Sequence, residues 1–229
     1  MLRWKQASGA AGALACLASG AAAASNPLAQ VGRDQLCVTD GDISAGAAGG
    51  LSVTTPAMRA VVPTASRQDV EARFTFLGPT DQTAALGSGA VREQFGLKLR
   101  AADPCNLVYA MWRFTPKAGV VVQLKSNPGE HDSQTCGNRG YRDVRPGFSK
   151  SVDAPDVGTS HRLKGEMEAS TLKVSVDGKL VWQGVVEGAP ASGPVGIRSD
   201  NAKLSLTLFA PIGAASSGAP PHCRPSGGD

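Results

Sequence analysis

Between residues 158 and 211, apolar and polar side chains alternate one by one around a single Asp-Gly pair, a pattern that commits the chain to antiparallel strands. Leu163, Gly165 and Met167 alternate with Lys164, Glu166 and Glu168, and Leu172, Val174 and Val176 alternate with Lys173 and Ser175. A period of two puts one set of side chains on each face of a sheet. Asp177-Gly178 then predicts a tight hairpin, because such a turn needs positive φ, which Gly adopts without a Cβ clash and Asp tolerates. The chain returns through Lys179 to Gln183, crosses a Gly/Pro/Ala loop and enters 195–209, where Leu204, Leu206 and Leu208 alternate with Ser205 and Thr207. The hairpin leaves Trp182 open. A two-residue turn pairs Val174 with Val181 and sends Trp182 to the opposite face, whereas a three-residue turn with a bulge pairs Leu172 with Trp182; the core side is preferred.

The same alternation starts at Asp69, with Val70, Ala72, Phe74 and Phe76 against Glu71, Arg73 and Thr75. It recurs at 94–100, where Phe95, Leu97 and Leu99 oppose Gln94, Lys98 and Arg100. In 105–114 the apolar stripe is Val108, Ala110, Trp112 and Phe114, which places Trp112 in the core; 120–125 follows after a Pro/Gly turn. No segment sustains a 3.6-residue apolar period, and 81–92 has room for a helical turn at most. These elements predict an all-β fold of eight to eleven antiparallel strands, a single sandwich spanning 65–211. Residues 25–64, rich in Ala, Gly and Asp, read as an irregular segment with edge strands at 36–38 and 51–53 at most. The connection 126–158 is polar and unusually long. Residues 212–229 read as a flexible tail.

Residues 1–24 have a basic start at Arg3 and Lys5, a short apolar run and small residues at 22–24, the layout of a secretory signal peptide. Ala13 is a poor residue three positions before Cys16, so lipid anchoring there is not favoured. The chain is expected to be secreted or periplasmic and not integral to a membrane. Without the leader, four cysteines remain, Cys37, Cys105, Cys136 and Cys223. An even number in an oxidising compartment predicts disulfides, and their placement favours Cys105–Cys136 and Cys37–Cys223 among three connectivities. No C-x-x-C pair offers a zinc site. The chain carries 23 basic and 19 acidic residues, and the mild excess argues against nucleic acid as a partner.

The segments VEARFTF, HRLKGEMEASTLKVSVDGKLVWQG and GPVGIRSDNAKLSLTLF, within Asp69 to Phe209, resemble the concanavalin A-like lectin/glucanase superfamily, including laminin-G-like domains. The resemblance implies a jelly roll of two curved antiparallel sheets, with ligands on the concave face or its loops. CNLVYAMWRF and KSNPGEHDSQTCGNRGY resemble a group of secreted bacterial proteins and add no function. The alternating Glu-x-Asp-x-Glu pattern of the superfamily's glucanases is absent; Glu166 and Glu168 share a face with Lys164 and read as solvated charge. Jelly-roll lyases use Arg, Gln or His, and Tyr to neutralise a uronate and move its proton. Arg113, Tyr109, Gln123 and His131 supply those residue types without the local motifs.

The candidate ligand-binding set consists of Arg73, Lys98, Arg100, Tyr109, Arg113, Gln123 and Lys125, each opposite the apolar stripe of its own strand. On one concave face they would form a basic groove for an acidic polysaccharide, with Tyr109 as a stacking surface; a polar outer sheet face is the alternative. In the long loop, His131, Asp132, Asn138, Arg139 and Tyr141 are polar enough for a ligand. Calcium through Asp132 is conceivable, but its six to eight oxygens are not supplied, so no cofactor and no metal are expected. Asp200-Asn201 is compatible with an Asx turn. With no catalytic residues assigned, the favoured function is a secreted, non-catalytic carbohydrate- or envelope-binding domain. A polysaccharide hydrolase or lyase on the same fold, and a structural envelope protein with a protein partner, remain alternatives.

Overall fold

The computed structural model describes Met1 and residues 27–65 and 67–212. The expected leader, Cys16, Cys223 and residues 213–229 of the expected tail lie outside the described residues. In chain order the elements are β1 (Ala29–Val31), β2 (Cys37–Gly41), β3 (Ser44–Ala45), β4 (Leu51–Val53), β5 (Ala57–Val62), β6 (Asp69–Pro79), β7 (Glu93–Asp103), β8 (Asn106–Thr115) and β9 (Gly119–Lys125). After a one-turn helix α1 (Ser133–Cys136) come β10 (Tyr141–Asp143), β11 (Phe148–Ser149), β12 (Ser160–Glu168), β13 (Thr171–Val176), β14 (Lys179–Val185), β15 (Val195–Asp200) and β16 (Ala202–Ala210).

Two antiparallel sheets stack face to face. One has nine strands, in the order β11-β14-β13-β12-β6-β16-β4-β3 with β1 also on β16; the other has seven, in the order β10-β9-β8-β7-β15-β5-β2. The alternating residues of both sheets meet in one core, in which Phe74, Phe76, Phe95, Leu97, Trp112, Leu163, Val174 and Leu204 are buried. This is the jelly-roll sandwich the alternation predicts.

Several details differ from the sequence expectation. Residues 25–64 are not irregular: they supply β1 to β5, and β5 sits between β15 and β2, with Met58, Ala60 and Val62 fully buried. The alternation in this segment is carried by Ala and Val over three to six residues, too short and too small-sided to stand out against its Gly-rich surroundings. The run 195–209 is split at Asn201, whose φ of 53° turns the chain out of one sheet and into the other.

The hairpin register is neither of the two anticipated. Asp177 and Gly178 both have positive φ and close a two-residue turn pairing Val176 with Lys179, but a bulge beside Val174 then sets Val174 opposite Trp182. The extra residue allows Val181 and Trp182 both to be buried, so Trp182 is a core residue.

Cys105 and Cys136 form a disulfide across a separation of 31 residues. Cys37 is disulfide-bonded as well; Cys223, its expected partner, lies outside the described residues. The Cys105–Cys136 bond ties the start of β8 to the loop that leads into Tyr141. Replacing both cysteines by serine is expected to cost about 4 kcal/mol for a loop of this length, measured as a lowered urea midpoint with a somewhat steeper slope, because the released unfolded chain exposes more surface. An unchanged midpoint would show that the loop contributes nothing to the folded state's advantage.

A walled cavity on the seven-stranded sheet

The face of the seven-stranded sheet turned away from the core is occupied by Arg59, Gln94, Lys98, Tyr109, Lys125, Arg198 and Asp200, all buried. Charges so placed need partners. Asp200 is the hub: its Oδ2 accepts from Arg198 Nε at 2.8 Å and from Gln94 Nε2 at 2.7 Å, and its Oδ1 from Arg198 Nη2 at 3.2 Å. Arg59 Nη2 lies 3.7 Å from Asp200 Oδ1 and also pairs with Asp40. The Arg198 guanidinium covers the Tyr109 ring at 5.0 Å. Burial alone would lower the Arg198 pKa, but the adjoining Asp200, with Tyr109 and Tyr141, holds it well above its ordinary value, so it stays charged.

Next to this cluster lies a cavity of about 190 Å³, floored by Gln94, Met111, Gln123 and Arg198 and walled by Leu86, Gly87, Asn138 and Tyr141. The connection between β6 and β7 forms one wall because Asn201 holds it. The Asn201 side chain accepts from Ala84 N and donates to Ala84 O, both at 2.8 Å, and donates to Arg92 O at 2.9 Å. The opposing wall comes from the disulfide-tied loop. The two walls meet so closely that a Cβ on Gly87 would fall 1.6 Å from Asn138 Nδ2. Gln123 donates to Asp143 Oδ1 at 2.7 Å and is thereby fixed in the floor. Gln94 Oε1 has no hydrogen-bond partner although the residue is only 3% exposed.

Of the candidate ligand-binding set, Lys98, Tyr109, Arg113, Gln123 and Lys125 belong to this sheet, as β7 to β9 alternate in register. Tyr109 and Lys125 do not present open surfaces. Tyr109 stacks on Tyr141 at 6.1 Å, and Lys125 Nζ lies 5.1 Å from the Tyr141 ring. Arg73 does not join the set: β6 is in the nine-stranded sheet, where Arg73 pairs with Glu71 at 2.8 Å and covers Phe209. Arg100 leaves it because its φ of 46° and the register shift after Leu99 break the alternation; its guanidinium turns to Pro190 O at 3.0 Å and to Ala169 O.

His131 is remote from the cavity. It bonds Asp103 at 2.7 Å, at the end of β7 opposite Gln94, and does not line the cavity. The lyase-type grouping of Arg113, Tyr109, Gln123 and His131 is therefore not assembled. Asp132 is the cap of α1, accepting from Gln134 N at 2.8 Å. Among the described residues no three His, Cys, Asp or Glu side chains converge as a metal site, and no helix is long and apolar enough to cross a membrane. Glu166 pairs with Lys164 at 2.7 Å and Glu168 is exposed.

Asn138 and Tyr141, expected in a polar ligand loop, do line the cavity; sequence reasoning missed Arg92, Arg198 and Asp200, the last read only as part of a turn. The last two were legible as alternate positions of the run VGIRSD, where Gly196, Arg198 and Asp200 oppose Val195 and Ile197.

The architecture is that of a concanavalin A-like β-sandwich with a polar, walled cavity on one sheet. Among solved structures, the carbohydrate binding module CBM66 from Bacillus subtilis aligns with a TM-score of 0.52 at 15% identity, over 78% of this chain and 93% of that one. A putative glycosyl hydrolase from Parabacteroides distasonis aligns at 0.48 and 10% identity, over 80% of this chain and 90% of that one. The carbohydrate recognition domain of Emp46p aligns at 0.46 and 14%, over 79% and 90%. No family model matches the chain, and no curated protein matches it.

Proposed function

We propose that the protein is a carbohydrate-binding β-sandwich that takes a sugar residue in the cavity on the seven-stranded sheet. The observation that carries this reading is Gln94 Oε1, a buried acceptor without a donor in a floor where Gln94 Nε2, Gln123 Nε2 and Arg198 are engaged with carboxylates. An unsatisfied buried acceptor costs about 1–3 kcal/mol, and a sugar hydroxyl supplies the missing proton. The cavity is smaller than the roughly 300–1,000 Å³ of sites for drug-sized ligands, a size suited to one ring of a longer glycan. Its lining contains no carboxylate, whereas glycoside hydrolysis ordinarily uses a pair; this favours binding over hydrolysis. The fold shared with a carbohydrate binding module supports the same reading. The Cys105–Cys136 disulfide supports the exported location that residues 1–24 predict.

A glycan array of neutral and acidic polysaccharides tests the proposal, followed by titration of the best ligand against Gln94→Met. The variant keeps the side chain's length but removes the acceptor, together with the Nε2 donor to Asp200, and is expected to weaken binding about tenfold. Retention on no glycan would end the carbohydrate reading, and unchanged affinity in the variant would move the site elsewhere.

A further inference from the structure

Two cations beside the cavity are not used by the Asp200 cluster. Arg92 lines the cavity, its backbone held by Asn201, and Arg113 stands on β8 directly across from Gln94. Among the described residues neither makes an ion pair. Arg113 Nε is buried without a hydrogen-bond partner, and Gly119, its cross-strand neighbour on β9, has no side chain to offer one. Burial and then the nearby Arg92 charge push the Arg113 pKa down, with Asp143 acting in the opposite sense. That carboxylate is already engaged by Gln123. Two like charges held together with an unused donor leave a place for an anion.

Resting on the glycan reading above, we propose that Arg92 and Arg113 form a carboxylate subsite, so that the sugar taken by the cavity is a uronate. Guanidinium groups match a planar carboxylate with paired N–H donors, as an ammonium does not. The unpartnered Gln94 acceptor lies between this subsite and the Asp200 cluster, where it receives a hydroxyl of the same ring. The donors and the acceptor are thus complementary to one acidic sugar.

The test uses immobilised polygalacturonate and alginate beside fully methyl-esterified polygalacturonate, neutral galactan and a sulfated glycan. Titrations are run on the unmodified protein and on Arg92→Gln and Arg113→Gln, both half-exposed positions, with thermal melts as a folding control. The expected result is at least tenfold tighter binding of a uronate polymer than of the ester, a roughly 10- to 100-fold loss in each variant on the acid alone, and weakening by salt. Equal affinity for acid and ester, unaffected by the substitutions, would overturn the carboxylate subsite while leaving the glycan reading intact. Tighter binding of the sulfated glycan would overturn the carboxylate assignment. Retention on none of the polymers would remove both.

Discussion

Asp200→Ala is expected to lower the unfolding free energy by about 3–5 kcal/mol, the usual cost of removing one member of a buried ion pair. Asp200 is 2% exposed and accepts from Arg198 and Gln94 while facing Arg59. Its removal strands the buried Arg198 charge over Tyr109 and frees Gln94 Nε2 in the cavity floor. Coulomb attraction and three hydrogen bonds are lost together, and the small alanine admits no compensating acceptor. Asp200→Asn, which keeps the volume and one acceptor, is expected to fall between the two. Urea unfolding followed by tryptophan fluorescence measures both. A loss below about 1 kcal/mol, the range of exposed pairs, would mean that solvent already screens the cluster. Binding should fall as well, because Gln94 and Arg198 shape the cavity from below.

The contrast between Asp200 and Arg73 shows what local sequence can convey. Alternation states which residues of one strand share a face, and it did so correctly for Phe95, Leu97 and Leu99 against Gln94 and Lys98. It does not state which strands share a sheet. Arg73 and Lys98 each oppose an apolar stripe, yet β6 and β7 enter different sheets, so the two cations lie on opposite outer faces of the sandwich. A bulge defeats the rule within a strand: one positive φ at Arg100 turns a groove residue toward an end loop.

The walls of the cavity were illegible for another reason. Asn138 and Gly87 approach only because a disulfide and the three hydrogen bonds of Asn201 position two separate loops. Neither loop has a periodicity to read. The pairing of Cys105 with Cys136 was a long-range constraint on this loop that cysteine placement could suggest.

Trp112→Ala should destabilise the protein by a comparable amount, about 3–5 kcal/mol. Trp112 is the largest of the side chains, Phe114 among them, through which β8 meets the nine-stranded sheet. Its ring meets Phe74 edge-on at 5.7 Å and His161 at 5.3 Å, and Phe114 at 5.8 Å along its own strand. Its indole Nε1–H also donates to Asp153 O at 3.0 Å, holding the polar connection before β12 against the core. Trp112→Phe separates these contributions: most apolar contact is retained and the donor is lost, leaving Asp153 O to find water, at an expected cost of about 1–2 kcal/mol. Equal losses for Ala and Phe would assign the stabilisation to the hydrogen bond instead of the packing. Met111 and Arg113 flank Trp112 on the same strand and face the cavity side. Below the melting transition, Trp112→Phe should therefore leave any glycan binding at the proposed site unchanged, because the two faces of β8 are separate: one joins the sheets, and the other faces the cavity.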